Sequence, residues 1–283
     1  MRQLSDISSE RDTMNIIVEL TGAFEGIASM HISQIKDQVL TSQNFFDELW
    51  RIYSQLRVDK FFHFGRSRAA KPINKELILV VTAEGSFSGD VDQRVVEAVM
   101  KVYNPAHNDI VVVGRHGASQ LRQHNVQIAH SFKLPQTDTN INIMPLAAEV
   151  QKYMSTTVFY ATYSSLMRQD VKQIQLNAEV AERGKNVTER LDDIITEDDF
   201  IFEPSTYAVV SHLESSMLQI MLYQIILESK LAQYASRFRA MHAAHDKADE
   251  TFGDLSFAFS QAKRRGKDER IKEIVNGLRK VSL

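Results

Sequence analysis

Three short stretches carry residue types whose spacing could do chemistry. The first is "TAEGSFSGDVD", Thr82–Asp92, which follows the apolar run "ELILVV" and leads into a helical pattern. Strand, glycine-bearing loop and helix in that order have the local shape of a phosphate cradle. A Walker-type loop needs a Lys followed by Ser or Thr to reach the terminal phosphates and the magnesium ion. Here Gly89 is followed by Asp90, whose charge repels a phosphate. A dinucleotide fingerprint needs three glycines at set spacing, and the loop holds Gly85 and Gly89 alone. "GSFSG" is no nucleophile elbow, because Phe87 stands between the glycines where Ser is required. "GRHG", Gly114–Gly117, also follows a strand-like run but is too short to identify a site. The loop therefore reads as structural, with Gly85 and Gly89 letting the strand turn tightly into the next helix.

The second stretch holds His242 and His245, three apart and followed by Asp246 and Asp249, a spacing that can hold a metal. His245 falls on a heptad seam, so packing against a partner helix is the preferred reading. The third is "QAKRRGKDER", Gln261–Arg270, which concentrates Lys263, Arg264, Arg265, Lys267 and Arg270 within about three helical turns. A run of this kind is usually a solvated face. This one interrupts the seam, which suggests that the partner helix ends nearby and that something else surrounds the chain there. Its basic residues are suited to acidic groups on an enclosing protein. No Ser–His–acid set or paired-carboxylate motif stands out.

The bulk numbers agree with a soluble globular protein. The chain has 283 residues, 43% hydrophobic and 24% charged, and a net charge of −3 that gives no basic field for nucleic acid. It has no cysteine, which removes disulfides, thiolate catalysis and Cys-based zinc sites. No run of about 18 apolar residues suggests a membrane span, and the polar start "MRQLSDISSERD" does not read as a leader peptide.

The elements that must position these stretches fall into sections of different period. From Met14 to about Leu56 there is no Pro, and apolar or small residues recur at Met14, Ile17, Thr21, Phe24, Ala28, Ile32, Ile35, Val39, Ser42, Phe46, Leu49, Tyr53 and Leu56. Steps of three and four make a heptad seam with one stutter near Ile32. A continuous helix over this segment would be roughly 65 Å long. From Ser205 to Leu283 there is again no Pro, and Leu231, Phe238, His245, Phe252 and Phe259 repeat every seven residues. Tyr234, Met241, Ala248, Leu255 and Ala262 fill the second seam position, and after a change of phase the seam resumes at Ile271, Ile274, Leu278 and Val281. Two long helices at opposite ends of one chain pair most simply antiparallel, as a rod.

Between them "ELILVVTA" (Glu76–Ala83), "DIVVVGRH" (Asp109–His116), "TTVFYATY" (Thr156–Tyr163) and "VKQIQLNAEV" (Val171–Val180) read as strands. Helical patterns cover about Val91–Tyr103, Ala118–His124 and Met144–Met154. The expected fold class is α/β: a long antiparallel coiled coil of N- and C-terminal helices with an inserted Rossmann-like α/β domain. The expected sections are a coiled-coil helix over 1–58, the α/β domain over 73–182, a hairpin or connector over 183–204 and a coiled-coil helix over 205–283.

The residues resemble the gamma subunit of F-type ATP synthases, the central rotor stalk. Glu228–Leu278 lies on the family's closing block without a gap, with Glu228, Ser229, Ala235, Arg237, Ala240, Met241, Ala248, Asp254, Leu255, Ala262, Glu273, Ile274, Val275 and Gly277 in place. "TAEGSFSGD" sits where the family has Thr-Asp-x-Gly-x-x-Gly-Gly, and "FIFEPS", Phe200–Ser205, resembles its Tyr-Glu-Pro connector. The chain departs from the family at Phe24, Glu25 and Gly26, which replace a Met–Lys–Met stretch, and in Ser260–Arg264, where the family has Asn-Arg-Ala-Arg-Gln.

The resemblance implies a non-catalytic coupler between ATP synthesis or hydrolysis and ion translocation. Its partners would be alpha and beta subunits, an epsilon-type subunit and the membrane c-ring, at the cytoplasmic face of a bacterial inner membrane. ATP, ADP and magnesium would belong to the partner subunits, with no cofactor or metal on this chain. Contacts to the hexamer would fall on Gln261, Lys263, Arg264, Arg265 and Lys267. The bidentate Arg fork is lost where Lys263 replaces an Arg. The tip would turn in an apolar sleeve on Leu278, Val281 and Leu283. An alternative or sodium-linked ATPase that mainly hydrolyses ATP fits the same residues. Two other classes stay open: a nucleotide-binding α/β protein and a static coiled-coil scaffold.

Overall fold

The computed structural model of the protein describes residues 4–55, 72–85, 87–135, 141–176, 178–179, 203 and 205–281. Helix α1 runs over Leu4–Gln55 and strand β1 over Ile73–Val81, followed by α2 (Val91–Met100), β2 (Asn108–Val113), α3 (Arg115–Gln123) and β3 (Ile128–Phe132). Then come α4 (Met144–Val150), β4 (Tyr153–Tyr163), β5 (Gln169–Gln175) and α5, the last helix, over Thr206–Val281. The residues divide into two compact units, one of Met1–Ala28 with Phe238–Leu283 and the other of Ser29–Arg237.

The larger unit is built on a five-stranded sheet in the order β3-β2-β1-β4-β5. β1 lies parallel to β2 and β4, β2 is parallel to β3, and β5 closes the far edge antiparallel to β4. In register, Leu79 stands beside Val111 on one side and Val158 on the other. Leu77 through Val81 are all buried, because helices cover both faces and a strand so placed needs apolar residues at every position.

One face buries Leu77, Leu79, Val81, Val111 and Tyr160 against Leu146 and Val150 of α4, Phe46 and Trp50 of α1, and Met217, Met221 and Ile225 of α5. The other face buries Ile78, Val80, Ile110 and Val112 under Val91, Val95 and Val99 of α2 and Leu121 of α3. The valines of α2 recur at helical spacing, so one stripe meets the sheet. Each fully buried aliphatic side chain contributes about 1.5–3 kcal/mol. Within this unit α1 and α5 run antiparallel, with His31 stacked on Tyr234 at 4.6 Å and Tyr53 donating its hydroxyl to Glu214 at 3.0 Å. The α1 seam is plain here: Ile32, Ile35, Val39, Ser42 and Phe46 are all buried.

The smaller unit holds the first part of α1 and the last part of α5, also antiparallel. As the α1 residue advances from Arg11 to Thr21 to Glu25, its α5 neighbour retreats from Phe259 to His245 to His242. With a single seam, this unit buries, among the described residues, Ile7, Thr21, Ala28, Met241 and Ala248. Phe24, Phe238, Phe252, Leu255 and Phe259 are half-buried, and Ile17 stays 39% exposed.

The elements differ from expectation in several places. β3 was not expected; its sequence "IAHSF" has no apolar run, since it is an edge strand paired on one side and mostly exposed. β5 stops at Gln175, and Leu176, Ala178 and Glu179 are helical, so the predicted strand to Val180 is too long. The resumed seam is corrected too: Ile271 and Ile274 are 59% and 56% exposed, because the register that sets Arg11 against Phe259 leaves them past the first described turn of α1. Most of the connector over 183–204 lies outside the described residues.

Candidate functional site

The loop after β1 is organised around a carboxylate. Asp92, 1% exposed in the first turn of α2, accepts the Ala83 N–H at 3.0 Å on Oδ1 and the Ser88 hydroxyl at 2.8 Å on Oδ2. His116 of α3 sets Nδ1 2.8 Å from the same Oδ2. That hydrogen bond, with the attraction of the negative charge, raises the His116 pKa above its ordinary value against the opposing effect of burial. One side chain thus ties the end of β1, the loop and the starts of two helices together.

Thr82 holds the neighbouring strand, donating its hydroxyl to the Val113 carbonyl at 3.1 Å and accepting the Gly117 N–H at 3.0 Å. The glycines of "GRHG" have a steric reason. A Cβ on Gly114, at φ 98°, would lie 2.2 Å from the Thr82 carbonyl oxygen, and one on Gly117 would lie 2.5 Å from its Oγ1. Gly89 turns with φ 64°, while Gly85 instead leaves room for Arg237, whose Nη2 would stand 3.2 Å from a Cβ there.

On α5 the predicted contact residues form an exposed, mostly basic stretch. Gln261, Lys263, Arg264, Arg265 and Lys267 are all exposed. Lys263 reaches 6.0 Å from the centre of the Phe259 ring, and Arg11 of α1 lies 4.5 Å from the same ring. The aromatic therefore carries two cations where the seam gives way to the basic stretch. The two histidines serve the helix pair: His245 Nδ1 donates to the Val18 carbonyl at 3.1 Å, and His242 Nδ1 lies 3.1 Å from Glu25. Among the described residues no three His, Cys, Asp or Glu side chains gather as a metal site. Leu283 lies outside the described residues, as do the side chains of Leu278 and Val281.

A family model described as ATP synthase matches residues 3–280. The chain belongs to the ATP synthase family.

Within the ATP synthase family it is a divergent member of the gamma-chain kind. The gamma chain of Mycoplasmoides gallisepticum is 24% identical over 99% of this chain and all of that protein. That of Geobacter sp. strain M21 is 20% identical over 98% of each. Among solved structures, a chain of the Euglena gracilis mitochondrial ATP synthase (OSCP/F1/c-ring, rotational state 3) matches with a TM-score of 0.64 at 12% identity, over 97% of this chain and 94% of that one. A chain of the Tetrahymena thermophila mitochondrial ATP synthase central stalk and c-ring matches with a TM-score of 0.58 at 19% identity, over 80% of this chain and 99% of that one. These structural likenesses bear on the fold: long paired helices around an α/β sheet.

In this ATP synthase family member the closing block Glu228–Leu278 lies wholly on α5. The "FIFEPS" connector meets α5 where Ser205 Oγ accepts the Ala208 N–H at 3.2 Å, a helix N-cap. Sequence reasoning missed the pairing of Asp92 with His116, which stand 24 residues apart in the chain. Their one signal was an acid in the first turn of a predicted helix. Among the described residues no helix is long and apolar enough to cross a membrane.

Proposed function

We propose that the chain is the non-catalytic central-stalk subunit of an F-type ATP synthase or ATPase. The observation that carries this reading is the match to gamma chains along the whole length of the protein. The end of α5 would stand inside a hexamer of alpha and beta subunits, which hold the ATP, ADP and magnesium. An asymmetric shaft touches the catalytic subunits unequally, and unequal contact energy holds otherwise equal sites in different conformations. The exposed Gln261, Lys263, Arg264, Arg265 and Lys267 would meet acidic groups of that ring. Each is a charge-assisted contact that is made and released as the shaft turns.

The α/β unit and the helix ends beside it would dock an epsilon-type subunit and the c-ring, at the cytoplasmic face of a bacterial inner membrane. Leu278, Val281 and Leu283 would supply the apolar bearing. Co-expression with alpha and beta subunits tests the assembly. The chain is expected to co-elute on gel filtration at one copy per hexamer. Elution as a separate species at all salt concentrations contradicts the reading.

A further inference from the structure

A cavity of about 460 Å³ opens within the larger unit beyond the C-terminal ends of β1, β2 and β3. It lies at the carboxyl edge of the parallel strands, to the β2 side of the β1–β4 switch point, and the volume falls in the range of about 300–1,000 Å³ typical of small-molecule sites. Among the described residues four cations line it: Arg115 from the start of α3, Lys133 just after β3, and Lys230 and Arg237 on α5. Lys230 and Arg237 are seven residues apart, so they share one helix face.

Among the described residues the acidic one of the lining is Glu84. Its Oε2 already accepts the N–H of Arg115 at 3.1 Å and that of Leu134 at 3.4 Å. That carboxylate is tied into the wall by two backbone N–H groups, and among the described lining residues the cations outnumber it. Lys230 is only 5% exposed, whereas Arg115 and Lys133 stand at the exposed rim.

The site is shaped as well as charged. The Arg237 guanidinium lies 5.1 Å from the centre of the Tyr234 ring, which also stacks on His31 at 4.6 Å. The bare Cα of Gly85 leaves the space that Arg237 occupies. A guanidinium held by a ring and a glycine is preorganised, so less side-chain entropy is lost when an anion arrives. Tyr234 is engaged by His31 and Arg237, so the lining recognises charge and not a stacked base.

We propose that this cavity is a binding site for a small polyanion of the di- or triphosphate class, held by Arg115, Lys133, Lys230 and Arg237. The glycine loop does not wrap the phosphates as a Walker loop would. It makes room for a cation that α5 delivers. This site goes beyond the stalk role and does not depend on it.

Isothermal titration of the purified full-length chain with inorganic tripolyphosphate tests the proposal, with sulfate at matched ionic strength as the reference. Saturable 1:1 binding is expected. The exposed pair Arg115→Gln with Lys133→Gln should weaken it about tenfold or more, as loss of charge-assisted hydrogen bonds does. Circular dichroism and an unchanged Tm would show that this variant is folded. Arg270→Gln with Lys272→Gln, on the exposed basic end of α5, should leave the affinity as it was. Absence of saturable binding overturns the proposal, and so does binding that both double variants weaken alike.

Discussion

His116 and the buried carboxylate of Asp92 are paired at 2.8 Å, Nδ1 to Oδ2, across the junction of α2 and α3. The contact is a hydrogen bond first and an ion pair second, and it raises the His116 pKa above 6.5. A raised folded-state value means that folding takes up a proton more readily. The ionic part of the stabilisation is full below pH 6.5 and is lost as pH rises through the raised value. Urea unfolding of the native chain and of His116→Gln should show the largest gap in midpoint at mildly acidic pH, narrowing above neutrality. A gap that widens with pH contradicts this account.

Ile35 and Phe46 are both 0% exposed on the α1 seam, whereas Phe257 on α5 is 72% exposed. Truncation of a buried side chain costs its transfer free energy and leaves a cavity. Ile35→Ala should therefore lower stability by about 2–5 kcal/mol and Phe46→Ala by about 3–5 kcal/mol. Phe257→Ala should stay within about 0.5 kcal/mol of the native chain. Chemical denaturation with two probes checks the ranking, and equal effects at Phe257 and Phe46 would show that the seam is misplaced.

Gly114 and Gly253 test backbone and space together. At Gly114 the φ is 98° and a Cβ meets the Thr82 carbonyl oxygen at 2.2 Å, while at Gly253, inside α5, a Cβ meets nothing within 4 Å. Gly114→Ala should be strongly destabilising. Gly253→Ala should stabilise α5 by roughly 0.5–1 kcal/mol through the lower chain entropy of Ala. Thermal melts of the two variants moving in the same direction would refute the assignment.

Lys263 and Arg264 are exposed, so reversing both charges to Glu should change stability by no more than about 0.5 kcal/mol. In the assembled complex the same double variant should weaken coupling between ATP hydrolysis and ion movement. Vesicles carrying it that pump at the native rate would remove these residues from the coupling contact.

Much of the helical framework was legible because its signal is local and periodic. Steps of three and four through α1 picked out Ala28, Ile32, Ile35, Val39, Ser42 and Phe46, all of which are buried. The same periodicity misled at Ile271 and Ile274, because a period marks a stripe and does not say whether a helix lies against it. β3 was invisible, since an edge strand with exposed His130 and Ser131 needs no apolar run. The cationic cavity was hidden for another reason. Arg115, Lys133, Lys230 and Arg237 are scattered along the chain, and strand order with helix register brings them together. The loop at Gly85 lacks the Lys of a Walker loop, and its glycine matters for what it lets α5 place beside it.

In the proposed stalk role, this chain couples the catalytic subunits by turning among them. The most direct measurement is the ATPase rate of a reconstituted alpha–beta hexamer with and without the chain, at equal hexamer concentration. A stalk subunit should change the rate severalfold and make it sensitive to substitution at Lys263 and Arg264. A rate that is the same with and without the chain would contradict the account.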